Sequence, residues 1–341
     1  MADRHGPLKM CVADLGDREI RVTEAERASG GLRFPNHLVL PLPKTRADAD
    51  STPEDAVART VAAAAKGSPY VSLVIGGPGT YVRLMNFSGI PGRMATLVNQ
   101  VRQTLGVGSD FHVICRIVRQ DENQYTLLAS AIRDDIEEKI RKALAQRGFR
   151  PVSLVHRGVV LANLSALTAR HSDCGPDFGM LYADGDSSLL VLRAGDELVL
   201  VRQLKEGLSC VFESLRKAYG LDDETAETLF HSGSFDITSQ SKAFLANWVH
   251  QVELSLDFIE RRFGRRIGTL YLCGTSLGAN VLATPFREPL GRNVEVLPEL
   301  DALPCPLQEG RLAEGHRAVS PFLLAATEAT RLMTRGENGT V

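Results

Sequence analysis

The sequence predicts an α/β protein made of two related lobes, and three observations carry that reading. A strand, a tight Asp/Gly turn and a returning strand occur near the N-terminus in Met10–Val22, MCVADLGDREIRV. The same pattern returns in Met180–Val201, MLYADGDSSLLVLRAGDELVLV, where Ala183-Asp184-Gly185-Asp186 stands against Ala13-Asp14-Leu15-Gly16-Asp17, one residue shorter. The chain is 341 residues long, ample for two cores.

The elements follow in order. After the hairpin of Leu8–Glu26, Val39–Lys44 reads as a further strand. Thr52-Pro53-Glu54-Asp55 then opens a helix with an N-cap, a proline at the first position and acids in the first turn; it ends at Lys66-Gly67. Val71–Ile75 and Tyr81–Phe87 are strands joined by Gly76-Gly77-Pro78-Gly79, more naturally a hairpin turn than an oxyanion or phosphate loop. A helix at Pro91–Leu105, strands at Phe111–Arg119 and Tyr125–Ala131 and a helix at Asp134–Arg147 complete a ββαββα unit of a size to be an insertion. In its last helix Ile132, Ile136, Ile140 and Leu144 fall four apart on one buried face, the opposite face being charged.

Val152–Val155 and a helix over about 158–170 return to the first lobe. The polar HSDCGPDF of His171–Phe178 marks the lobe boundary. The second lobe continues with helices at Gly207–Tyr219, to Phe230 and at Lys242–Phe263. A buried strand at Thr269–Cys273, a helix to Gly291, a strand at Val294–Leu297 and a final helix near 318–333 follow. In domain terms this gives a first lobe over 8–70 and 151–172, an insertion over 71–150, a second lobe over 177–310, the C-terminal helix at 318–333 and a disordered tail at 334–341.

Composition excludes several function classes. A formal net charge of −2 removes the electrostatic case for a nucleic-acid binder. No apolar run approaches the roughly 18 residues that span a bilayer. The N-terminus lacks the apolar core of a signal peptide, so the cytoplasm is the expected compartment. Six cysteines without a C-x-x-C pair read as reduced thiols, with neither a disulfide framework nor a metal site.

Two motifs carry chemistry. A tight Asp-x-Gly turn between strands aims backbone N–H groups into one concavity suited to phosphate oxygens, and an adjacent Asp can hold Mg²⁺ through water. Asp-Gly is also the commonest hairpin chemistry, so it is the duplication that gives the signal weight. The second motif, Gly274-Thr275-Ser276-Leu277-Gly278, matches the nucleophile elbow G-x-S-x-G in its strand-to-helix context, with Asp301 and His316 available as acid and base. A hydrolase built on that elbow needs more strands after it than Val294–Leu297, and it leaves the duplication unexplained. Arg261, Arg262, Arg265 and Arg266 close a helix where cations complement the dipole.

This order of elements resembles the actin-like ATPase (ribonuclease H-like) superfold of actin, the heat-shock chaperones, FtsA and the sugar kinases. Within it the chain is most similar to the type IV pilus assembly PilM family, over about residues 8–333. Cys11–Arg21 looks like that family's first phosphate loop, a D-I-G-S-S-x-x-K pattern, and Leu181–Leu192 like the second. Residues 71–155 resemble its inserted subdomain, most closely Ala129–Val155. Glu206-Gly207 onward, then Tyr219-Gly220-Leu221 with Glu224, Ala226, Glu227 and Leu229, resembles a G-G…L-G-L-S-x-E-E-A-E-x-L segment. Thr269–Leu282 with Val294–Leu300 resembles the adenosine loop and its following strand, which gives Ser276 a non-catalytic place.

The resemblance implies ATP with Mg²⁺ in an interlobe cleft, with Asp14 near the metal. Asp14, Gly16 and Asp17 would contact the phosphates from one lobe, and Asp184, Gly185, Asp186 and Ser187 from the other. Glu224, Glu227, Gly274, Thr275 and Ser276 would lie near the nucleoside, and Gly207 would also belong to the nucleotide-binding set. Departures from the pattern imply weakened or lost binding: Asp17, Arg18 and Glu19 replace small hydroxyl residues, Gly-Thr-Ser replaces three glycines, and Phe230 stands where a lysine follows Glu227. An acid beside a triphosphate is repulsive at low effective dielectric.

The function implied is a cytoplasmic scaffold of a type IV pilus or type II secretion-like platform. It would bind the N-terminal cytoplasmic tail of a PilN-like inner-membrane protein between the first lobe and the insertion, link it to the motor ATPase, and meet the membrane only through that partner. No catalytic base is read. The alternatives are an active ATPase or small-molecule kinase of the same superfold, and a serine hydrolase using Ser276.

Overall fold

The computed structural model describes residues 8–16, 19–28, 31–41, 53–65, 67–88, 94–171, 174–232, 245–274, 276–297 and 322–334. It divides into two compact units. The first holds Met1–Leu164, Asp301–Pro306 and Phe322–Val341, and the second Ser165–Leu300 and Leu307–Pro321.

In the first unit β1 (Lys9–Leu15) turns back into β2 (Glu19–Ala28), which pairs with β3 (Gly31–Pro41). Two parallel strands, β4 (Tyr70–Ile75) and β8 (Arg150–His156), extend the sheet on the other side, giving the order β3-β2-β1-β4-β8. The strands beside the centre are apolar nearly throughout because both faces are covered. Cys11, Ala13, Ile20, Val22, Leu73 and Leu154 pack with α1 (Pro53–Ala64) and α3 (Asp134–Ala145). On the opposite face lies α9 (Leu323–Thr334), whose fully buried Glu328 accepts from Ser72 and Ser153 at 3.3 Å and from Arg331 Nε at 2.7 Å. A buried carboxylate is tolerated because every donor around it is supplied.

The insertion is smaller than the sequence suggests. β4 belongs to the first lobe's main sheet, so the separate sheet has three strands, β5 (Thr80–Ser88), β6 (Phe111–Asp121) and β7 (Gln124–Arg133), in the order β5-β7-β6. Periodicity cannot tell a strand that leads into an insertion from the insertion's own first strand. Met85, Tyr125, Leu127 and Ala129 on one face pack against Leu97 and Val101 of α2 (Met94–Leu105). α3 packs against α1 and so joins the layer that covers the main sheet.

The second unit repeats the plan. β9 (Asp177–Ala183), β10 (Ser188–Ala194) and β11 (Glu197–Leu204) form an antiparallel meander; β12 (Thr269–Gly274) and β13 (Asn293–Val296) add in parallel, in the order β11-β10-β9-β12-β13. Strand for strand this is the order of the first lobe, as the duplicated hairpins predict. Its core gathers Leu181, Leu190, Leu192 and Leu272 with Leu208, Val211, Phe212 and Leu215 of α5 (Leu208–Tyr219). It also takes in Trp248, Val252, Leu256 and Ile259 from α7 (Ala246–Phe263). Trp248 is fully buried, edge-on to Phe286 of α8 (Ser276–Leu290) with ring centroids 5.3 Å apart. α6 (Asp223–Ser232) begins where Asp222 Oδ1 accepts the Thr225 N–H at 2.7 Å, an N-cap bond. α4 (Arg157–His171) runs from the first unit into the second, so the contact boundary falls within that helix rather than at 171–178.

No described helix is long and apolar enough to cross a membrane. Among the described residues no three His, Cys, Asp or Glu side chains group to hold a metal. The thiols of Cys11 and Cys273 are buried, and desolvation pushes Cys11 up to about 12.

Candidate functional site

The first Asp/Gly turn is a hairpin closed by the Gly16 N–H donating to the Glu19 carbonyl at 2.9 Å, and it stands at the end of β1 as predicted. Asp17 and Arg18 lie outside the described residues. Asp14 is 1% exposed and sits opposite Arg21 in the β1–β2 register. Its Oδ2 accepts from Arg21 Nη1 at 3.1 Å, and its Oδ1 from Arg157 Nε at 3.1 Å. Arg21 Nε donates in turn to Glu19 Oε1 at 2.6 Å, and Arg157 Nη2 donates to the Leu15 carbonyl. Arg21 and Arg157 are themselves buried. Truncating one partner of such a buried pair costs about 3–5 kcal/mol, because the other charge is stranded.

Arg157 lies against Gly76, where an added Cβ would come within 3.0 Å of its Nη1, so the glycine of the β4–β5 turn leaves room for the guanidinium. Beside it His156 is buried. Its Nδ1 accepts the Gly158 N–H at 2.9 Å, so Nε2 carries the proton and donates to Thr80 Oγ1 at 3.1 Å. Thr80 Oγ1 donates onward to the Gly77 carbonyl at 2.8 Å. Burial, followed by the charge of Arg157, lowers the imidazole from 6.5 to about 3. The unfolded chain therefore takes up a proton below about pH 6.5 that the native protein refuses until near 3, and stability falls as pH drops through that window. The expected slope from this residue approaches about 1.4 kcal/mol per pH unit. Urea unfolding from pH 7 to 5 should show it, and His156→Asn should flatten it; an unchanged slope would contradict a buried neutral ring.

In the second lobe the turn Asp184–Ser187 is occupied by its own chain. The Leu208 N–H donates to the Asp184 carbonyl and the Ser209 N–H to the Gly185 carbonyl, both at 2.8 Å. Asp186 Oδ1 accepts from Ser209 Oγ at 2.5 Å. The first amides of α5, which an anion would otherwise meet, are thus spent on the loop. The approach is so close that a Cβ at Gly207 would meet the Gly185 carbonyl oxygen at 2.4 Å and the Ser187 nitrogen at 2.6 Å. Asp184 is buried, Asp186 exposed and Ser187 half-buried.

Gly274, the last residue of β12, pairs with Ala183 and has φ +126°; a Cβ there would lie 2.2 Å from the Ala183 carbonyl oxygen. Glu224 is exposed in the first turn of α6. Thr275, Asp301, His316 and the side chains of Glu227 and Ser276 lie outside what is described. Ser276 opens a helix directly after β12, the context its motif demands.

Sequence reasoning missed Arg21, Arg157, His156 and Thr80. Arg21 was within reach, because a hairpin that closes over Gly16–Glu19 sets Asp14 opposite it. Arg157 carries no such signal, being 143 residues distant from Asp14. The geometry at Asp14 does not fit a magnesium ion, since each carboxylate oxygen already accepts from a guanidinium and the group has almost no exposure. An ion there would have to displace an arginine.

Several solved structures share this architecture. A PilM-PilN type IV pilus biogenesis complex superposes with a TM-score of 0.77 and 19% identity, covering 96% of this chain and 98% of that one. The ethanolamine utilization protein EutJ from Carboxydothermus hydrogenoformans gives 0.52 and 12%, over 96% and 90%. A Bacteroides thetaiotaomicron protein of unknown function with an actin-like ATPase fold gives 0.50 and 6%, over 85% and 91%. The chain has the actin-like ATPase fold. No family model and no curated sequence matches it, so at these identities the likeness concerns the fold. The PilM resemblance read from the residues agrees with the neighbour whose chain this one covers almost end to end.

Proposed function

We propose that this chain is a cytoplasmic PilM-like scaffold of a type IV pilus or type II secretion-like platform. It holds the N-terminal tail of a PilN-like inner-membrane protein and connects it to the motor ATPase. The observation that carries the reading is the likeness to the PilM-PilN structure over 96% of this chain. The motifs at Asp14–Asp17, Asp184–Ser187 and Glu206-Gly207 agree with it.

The tail docks along the seam between the first lobe and the insertion. Among the described residues β8 ends the five-stranded sheet, with β4 as its one hydrogen-bonded neighbour there, and Pro151 sits in it as prolines do in edge strands. Val152 on that edge and Ile114 on β6 are each 45% exposed. Ile114 pairs with Ser130, which puts it on the face of the small sheet turned away from α2. A strand edge that carries an exposed apolar side chain suits an extended peptide read by its backbone. Any ATP that the chain binds is weak and serves conformation rather than turnover.

The test is calorimetric titration with a synthetic peptide of the N-terminal cytoplasmic segment of a PilN-like protein. Micromolar, one-to-one binding is expected. No heat at a hundredfold higher peptide concentration would remove the scaffold reading.

A further inference from the structure

We infer that the first lobe carries an internal substitute for a metal-bound phosphate. In this reading the buried network Glu19–Arg21–Asp14–Arg157 locks the first Asp/Gly hairpin, and the chain does its work without Mg·ATP. The inference stands apart from peptide docking and rests on the charges and geometry of these four side chains.

Two carboxylates and two guanidiniums alternate, so the cluster is neutral as built. The links measure 2.6 Å from Arg21 to Glu19, 3.1 Å from Arg21 to Asp14 and 3.1 Å from Arg157 to Asp14. Three of the four side chains are buried; Glu19 alone reaches solvent, at 29%. A divalent cation placed on Asp14 would sit beside two fixed positive charges in a poorly screened setting. A triphosphate would face Glu19 and the carboxylate of Asp14. Neither ligand finds an unopposed charge in the network.

Arg157 is also held on several sides. It bonds Asp14 and the Leu15 carbonyl, and it fills the space over Gly76. Leu15 is the last residue of β1, and Gly76 opens the turn into the insertion. His156, its neighbour in the chain, bonds Thr80 at the start of β5. The hairpin that would grip phosphate and the root of the insertion are therefore fixed to one another by protein side chains.

The experiment compares the full-length wild type with D14N, R157Q and the D14N/R157Q double variant. Each is measured by thermal unfolding and by calorimetric titration with millimolar Mg·ATP. The wild type is expected to give no binding heat and no rise in Tm with Mg·ATP. Arg157→Gln alone should lower Tm by roughly 10 °C by stranding Asp14. The double variant should lose clearly less than the sum of the two single losses, because the groups act as a pair. Additive losses would overturn the network, and so would micromolar Mg·ATP binding by the wild type that disappears in D14N. Should R157Q fail to fold, the wild-type and D14N titrations still decide. Peptide binding measured on the same wild-type sample keeps the questions separate: nucleotide binding with peptide binding intact sinks this inference and spares the scaffold.

Discussion

Alanine at Gly274 is expected to destabilise the second lobe by at least about 3 kcal/mol, a fall in Tm of roughly 10 °C. The residue holds φ +126°, which side-chain-bearing residues rarely adopt, and its Cβ would lie 2.2 Å from a main-chain oxygen of β9. A carbonyl in a strand cannot rotate aside as a long side chain can. β12 would have to part from β9 at the Gly274–Ala183 pair, exposing the end of the sheet. Gly207→Ala is expected to act similarly through the turn at Asp184–Ser187, where the backbone comes as near as 2.4 Å. Differential scanning calorimetry of the ligand-free protein reads both. Variants that melt with the wild type would show that these glycines are kept for a ligand's approach rather than for the chain's own packing.

These glycines show how far the sequence was legible. The duplicated Asp/Gly hairpins announced two lobes of one plan, and the strand orders β3-β2-β1-β4-β8 and β11-β10-β9-β12-β13 repeat it. Local signals also placed the helix from Pro53, because a cap and first-turn acids act within a few residues. Interactions that join distant stretches were not legible. The close approach of Gly207 to Gly185 depends on how α5 folds back onto the turn. The clasp of Arg157 on Asp14 spans 143 residues, and the place of β4 in the main sheet depends on its pairing with β1 and β8. Hydrophobic period describes a strand's faces and is silent about its neighbours.

Charge placed at Val152 on β8, or at Ile114 on the small sheet, is expected to abolish peptide binding without unfolding the protein. Ile114→Glu and Val152→Asp each replace a half-exposed apolar side chain, so each should change the stability of the free protein by no more than about 0.5 kcal/mol. In the complex the same positions would be covered. Burying an apolar side chain of this size is worth about 1.5–3 kcal/mol, and a carboxylate put in its place adds a desolvation cost on top. Together these predict a loss of affinity of at least about a hundredfold per substitution. Phe258→Glu, on α7 of the second lobe and 52% exposed, is the matched control and should bind peptide as the wild type does. Backbone recognition makes a further demand: N-methylation at alternate peptide residues should weaken binding only where the amide faces β8, with a period of two. Uniform tolerance of N-methylation, with Ile114→Glu still inactive, would mean that the peptide docks by its side chains on the small sheet and leaves the β8 edge open.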